Sequence, residues 1–194
     1  MAVFAFLLPC SAQEATIHYG AKEIEIYAGG GSGIGDRSSY QYANAGVRAG
    51  LVLTDAHGPG FLRGNFEYAV EVSPVYLFFQ PVTLSDGTRG RETVYGAAVS
   101  PLVLKWNFTS GRKVVPYFAL EGAAILTTKD VPAGDTSVVN FGSGVAAGVQ
   151  YFCKDRRSVA VSARVLHISN AEIGDYNPSI NLGVQFRLEY QWWK

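Results

Sequence analysis

Ile180-Asn181-Leu182-Gly183-Val184-Gln185-Phe186-Arg187-Leu188-Glu189-Tyr190-Gln191-Trp192-Trp193 alternates apolar and polar residues almost without a break. Ile180, Leu182, Val184, Phe186, Leu188, Tyr190 and Trp192 form one stripe; Asn181, Gln185, Arg187, Glu189 and Gln191 form the other. A period of two places each set on one face of a β-strand. The same rhythm recurs upstream. Val159, Val161, Ala163 and Val165 oppose Ser158, Ser162 and Arg164, and Phe66, Tyr68, Val70 and Val72 oppose Glu67 and Glu71. Strand-like runs fall near 23–30, 40–53, 61–79, 93–108, 113–127, 138–153, 157–170 and 179–193. Several exceed the five or so residues of an ordinary globular strand, and a tilted membrane strand needs about 9–11 residues to span.

Composition agrees with this reading. Charged residues make up 16% of the 194 residues, against roughly 25% in soluble domains, while aromatic residues reach 13%. Mean hydropathy is slightly positive. No apolar run approaches the roughly 20 residues of a membrane helix, so the apolar residues are dispersed along strands. With 16 basic and 16 acidic residues the chain offers no electrostatic reason to bind nucleic acid. Residues 1–12 read as the remnant of a secretory signal with cleavage after Ala12, which makes 13–194 a single barrel domain. Cys153 is then the only cysteine left, and no disulfide can form.

The fold expected is all-β: an eight-stranded antiparallel up-and-down transmembrane β-barrel. Alternation alone does not say which face is inside. A soluble lipid-binding barrel would turn its apolar face inward and its polar face to water. Two features favour the membrane form. The last strand ends in aromatic residues that suit an interfacial girdle. The gaps also alternate, long at Gly31–Ser39, Gln80–Glu92, Thr128–Thr136 and Ala171–Pro178, tight at Thr109–Arg112 and Lys154–Arg157, and intermediate at Asp55–Gly60. Such barrels have short periplasmic turns and longer outer loops. Enclosed in a narrow lumen, Glu67, Glu71, Lys105, Glu121, Arg164, Arg187 and Glu189 could pair with one another. The glycine-rich Gly29–Gly35 lacks a following Lys-Ser/Thr and reads as an outer loop, not a phosphate cradle. His18 and His57 have no partners at ligand spacing, so neither a metal nor another cofactor is expected.

His167 and Ser169 continue the apolar stripe of the seventh run, where polar groups are out of pattern. Facing hydrocarbon they would cost free energy unless satisfied. One reading makes them interfacial residues where the strand frays into its loop. The other makes them base and nucleophile for a substrate that is itself a lipid, since an imidazole beside a hydroxyl can activate it for acyl transfer.

His167-Ile168-Ser169-Asn170-Ala171, followed by Asn177-Pro178 and a final strand, resembles the signature of the lipid A 3-O-deacylase (PagL) family. The resemblance implies a bacterial outer-membrane barrel that hydrolyses the ester-linked 3-hydroxyacyl chain of lipid A or lipopolysaccharide, with a Ser-His-acid arrangement and no metal. Its partners would be the membrane and lipid A of the outer leaflet, and a homo-oligomer is compatible with it. By position His167 is the general base and Ser169 the nucleophile. Asn170 supports the site, and Asn177 stands where the family places an asparagine linked to oxyanion stabilisation. The sequence departs from the family at Asn181, where a glutamate usually orients the histidine. Glu172 and Asp175, in the adjacent loop, are the alternative acids. A non-enzymatic structural or adhesive barrel is the competing reading that the missing glutamate favours.

Overall fold

The computed structural model describes residues 17–109, 113–134, 136–174, 176–178 and 180–194, and the side chains of Asn181 and Leu182 lie outside that description. The expected signal segment therefore lies outside the described residues. Eight strands follow one another: β1 (Lys22–Gly33), β2 (Gln41–Val52), β3 (Gly64–Thr83), β4 (Arg89–Phe108), β5 (Val114–Thr127), β6 (Val139–Lys154), β7 (Arg157–Ser169) and β8 (Ile180–Trp193). Each pairs antiparallel with its neighbour, and β1 pairs with β8 to close the barrel. Closure removes the free edges that an open sheet would expose to lipid.

The burial pattern decides which face is inside. Outward positions are apolar and exposed: Ile24 and Ile26 on β1, Val47 on β2, Val161 on β7, Phe186 and Leu188 on β8. Inward positions are polar and buried, among them Glu23, Glu25, Arg48, Glu67, Glu71, Lys105, Arg164, Arg187 and Glu189. A soluble barrel with an apolar interior is thereby excluded, because its outer face would have to be wetted. Leu188 is 64% exposed on that face. Leu188→Arg is expected to destabilise the barrel by about 2–4 kcal/mol if the site lies near the bilayer midplane. Urea titration of the protein in lipid vesicles measures this, and an unchanged midpoint would mean that the faces are reversed.

The lumen is packed in three tiers. At the end that holds Ile17 and Lys194, Ile17, Ala21, Val52, Val115, Phe152 and Trp193 form an apolar plug. Charges fill the middle. Lys105 Nζ lies 3.0 Å from Glu23 and 3.5 Å from Glu67, Arg48 bridges Glu25 and Glu71 at 2.9 and 3.0 Å, and Arg164 meets Glu121 at 2.7 Å. Arg187 reaches Glu71 at 2.8 Å, while Glu189 accepts hydrogen bonds from Tyr117 and Ser162, each at 2.7 Å. Glu23, Glu25 and Arg48 complete the network that the sequence only partly indicated. At the opposite end Tyr40, Tyr42, Tyr76, Phe78, Ile125, Leu166, Ile168 and Ile180 form a second plug, and Val131 folds into it from the β5–β6 loop. A cavity of about 30 Å³ remains between the charges and this plug.

Four expectations need correction. The gap expected at Gln80–Glu92 is mostly strand: Gln80 pairs with Glu92 and Thr83 with Arg89, so β3 and β4 continue as a two-stranded ribbon past their neighbours. The turn at Asp86-Gly87 makes this possible, with Gly87 at φ +80° and the Thr88 N–H donating to Asp86 at 2.9 Å. The β2–β3 connection, residues 53–63, is longer than anticipated and holds a 3-10 turn at Gly60–Leu62. Gly29–Gly33 belongs to β1 and not to a loop. A Cβ on Gly31 would fall within 3.0 Å of the Val184 carbonyl oxygen, so glycine there lets β1 and β8 close the seam. Ile180, finally, faces inward at 0% exposure and not into the lipid stripe. Leu166 pairs with Gly183 but Ile168 pairs with Ile180, so two residues of β8 stand opposite the single residue His167. That bulge reverses the alternation at the rim.

Candidate active site

β7 carries the site to the rim opposite Ile17 and Lys194. Its inward residues Ser158, Ala160, Ser162, Arg164, Leu166 and Ile168 are buried, while Val161, Ala163 and Val165 are exposed. His167 and Ser169 continue the outward row and are half-buried. On β6, Ser143 stands opposite His167 and Phe141 opposite Ser169. Residues two apart on a strand lie about 6.5–7 Å apart along it with side chains parallel, within reach of an imidazole and a hydroxyl. From the lumen side Ile168, Leu166 and Ile180 pack into the upper plug and brace the strand against inward collapse.

The loop after Ser169 is built on Asn170. Asn170 is 2% exposed and points inward, so it does not share the face of Ser169. Its Oδ1 accepts the Glu172 N–H at 3.0 Å, and its Nδ2 donates to the Tyr176 carbonyl at 3.0 Å. Its carbonyl accepts the Ile173 N–H at 3.0 Å. Ala171 and Glu172, at φ 51° and 63°, both hold left-handed backbone without being glycine. Such conformations cost on the order of 1–3 kcal/mol each and persist where surrounding bonds over-determine them. Three bonds from one buried asparagine supply that constraint. The loop also seats against its neighbour: a Cβ on Gly174 would fall within 3.0 Å of the Thr136 carbonyl oxygen in the β5–β6 loop.

Asn177 comes back to the end of β7. Its Oδ1 accepts the Asn170 N–H at 3.4 Å, a long bond to the residue next to Ser169. With the carbonyl end of the amide so used, its NH2 end has no acceptor among the described residues. The following residue, Pro178, accepts a hydrogen bond from Arg37 Nη2 at 3.1 Å. Arg37 closes a 3-10 turn, Gly35–Arg37, in the β1–β2 loop. Neither Arg37 nor the hub role of Asn170 was read from the sequence. The Arg37 contact joins residues 141 positions apart, and no local pattern encodes it.

Of the acids considered, Glu172 is exposed, and among the described residues its carboxylate makes no hydrogen bond or ion pair. Asp175 lies outside the described residues. The backbone of Asn181 is placed in β8 and its side chain is not described, but the bulge sets residues 181 and 182 together opposite His167. Strict alternation would set Asn181 on the inward polar face, away from His167, and strict alternation does not hold there.

The sequence model of the PagL family, described as lipid A 3-O-deacylase, matches residues 62–191. No curated protein matches the sequence significantly. Among solved structures, the outer membrane enzyme PagL is similar over 86% of this chain and 97% of its own, at 15% identity and a TM-score of 0.53. The N-terminal β-barrel domain of Pseudomonas aeruginosa OprF is similar over 90% and 98%, at 16% identity and a TM-score of 0.53. Neisserial surface protein A is similar over 89% and 98%, at 15% identity and a TM-score of 0.52. At these identities the likeness concerns the barrel fold.

Proposed function

This chain belongs to the lipid A 3-O-deacylase (PagL) family of the bacterial outer membrane, and on that footing we propose that it cleaves the 3-O-acyl ester of lipid A with Ser169 as nucleophile and His167 as general base. The observation that carries this reading is the position of His167 and Ser169 in the lipid-facing row of β7, at its rim. A nucleophile there meets an ester that arrives sideways from the outer leaflet, with no need for the substrate to enter the lumen.

In the first half-reaction His167 takes the Ser169 hydroxyl proton as Oγ attacks the ester carbonyl carbon. The negative charge that develops on the carbonyl oxygen is met by the Asn177 NH2. Collapse breaks the bond to the sugar oxygen, which leaves with the proton held by His167. Water then attacks the acyl-Ser169 carbonyl as His167 removes its proton; the bond to Oγ breaks, His167 returns the proton to Oγ, and a 3-hydroxy fatty acid is released. Asn170 does not touch the reacting atoms in this scheme. It holds the loop that presents Asn177.

Mass spectrometry of lipid A from cells making the protein tests the reading. The expected change is loss of one ester-linked 3-hydroxyacyl group, absent with Ser169→Ala. Unaltered lipid A with well-folded protein would favour the structural-barrel reading.

The acid that orients His167 is open to a second measurement. A glutamate-like charge at residue 181 would stabilise the imidazolium formed during attack. An Asp-to-Asn change at the equivalent position of a serine protease costs about 10⁴-fold. Asn181→Glu is therefore expected to raise the deacylation rate on the order of tenfold or more, and Glu172→Gln to leave it within about twofold. A severe loss in Glu172→Gln would transfer the orienting role to that loop acid.

A further inference from the structure

Two cations at the outer rim, Arg91 and Lys129, are spent on structure. Arg91 Nη2 serves the carbonyls of Ser39 and Phe79, each at 3.0 Å, and Gln41 at 3.4 Å. Lys129 pairs with Glu92 at 2.6 Å and so fastens the β5–β6 loop to the β3–β4 ribbon. Arg37 is different. Its Nη2 is held by the Pro178 carbonyl at 3.1 Å, and its guanidinium lies 5.4 Å from the centre of the Tyr40 ring. Among the described residues its Nε and Nη1 make no hydrogen bond or ion pair, and the neighbouring Asp36 is exposed and not bridged to it. Arg37 is thus half-buried, fixed at one corner and along one face, with the rest of its fork open beside the loop that carries Asn177.

A guanidinium held in this way is preorganised for an oxyanion with two acceptor oxygens. The deacylase reading, on which this inference rests, brings such a group to the place. Lipid A is a phosphorylated glucosamine disaccharide, and its 3-ester lies on a sugar that carries one of the phosphates. From Arg37 the path to the nucleophile runs through Pro178 to Asn177, whose side chain meets the residue next to Ser169. We propose that Arg37 binds the phosphate of the sugar whose 3-ester Ser169 attacks, so that the phosphate fixes which ester reaches the nucleophile. The β1–β2 loop would then contribute to specificity although it supplies nothing to the bond-breaking step.

The test uses the folded protein in a neutral, phosphate-free detergent, so that the substrate is the sole source of phosphate. Lipid A with the phosphate on the ester-bearing sugar is compared with the same lipid after removal of that phosphate. Wild type is expected to favour the phosphorylated lipid by about tenfold or more in kcat/KM, the range of one charge-assisted hydrogen-bonded contact. Arg37→Gln should lose that preference, chiefly through KM, with a loss on the phosphorylated lipid about tenfold larger than any loss on the dephosphorylated one. Arg37→Lys should keep part of it, as a point charge without the fork. Equal losses on both lipids in Arg37→Gln would show that Arg37 only holds the Pro178 loop, and would overturn the proposal. Absence of any preference in wild type would overturn it as well and leave the deacylase reading intact. Failure of wild type to hydrolyse either lipid would bring down both.

Discussion

Ser169→Ala and His167→Ala are each expected to reduce deacylation by about three to six orders of magnitude, with the barrel still folded. The size follows from how the two groups would act in the proposed mechanism. Without the hydroxyl no acyl-enzyme forms, and without the imidazole the hydroxyl keeps its proton at neutral pH and is a weak nucleophile. Because they act as one unit, the double variant should be little slower than either single one. Both side chains are half-buried on the outward face, where β6 offers Ser143 and Phe141 as neighbours, so their truncation opens no hole in the packed lumen. Heat-modifiable migration on gels and an unchanged urea midpoint should confirm folding beside the rate measurement. Substantial activity in Ser169→Ala would rule out the serine mechanism, and additive losses in the double variant would mean that the two residues act separately.

The largest effect on stability is expected at Glu71. Its carboxylate lies 3.0 Å from Arg48 and 2.8 Å from Arg187, with Arg164 at 4.0 Å, and all four side chains are at most 3% exposed. Glu71→Ala would leave like charges facing one another where water cannot screen them. Removing one partner of a buried ion pair costs about 3–5 kcal/mol, because the remaining charge stays desolvated and uncompensated. The outer face is untouched by this change, so the loss should appear as a lower urea midpoint in vesicles and a lower temperature of heat modification. Arg187→Met in the Glu71→Ala background should restore part of the loss by removing one of the stranded charges. An unchanged midpoint in Glu71→Ala would mean that water or counter-ions enter the lumen freely.

The reach of sequence reading differs between the two faces of the barrel. Lipid imposes one requirement on every outward residue, apolarity, and repeats it at every second position. That is why β7 and β8 were legible from their alternation, and why His167 and Ser169 stood out as breaks in it. The inward face follows no such uniform rule. A charge is acceptable there if a partner arrives from another strand, and the partner's position depends on register. Glu25 meets Arg48 across the β1–β2 ladder, whereas Glu71 meets Arg187 from a strand 116 residues away.

By itself the sequence determined the number and order of the strands and the two alternating stripes, and it marked His167 and Ser169 as breaks in the apolar one. Only the tertiary structure decided that the polar face is the inner one, that β3 and β4 continue as a ribbon where a loop was expected, and that Ile180 turns inward. It also decided that Asn170 is the buried hub of the β7–β8 loop and that Arg37 reaches that loop from the other end of the chain. The reason is physical. Alternation is written in each strand's own residues, but a bulge, a cross-lumen ion pair or a loop-to-loop hydrogen bond arises from how distant strands are set against one another when the barrel closes.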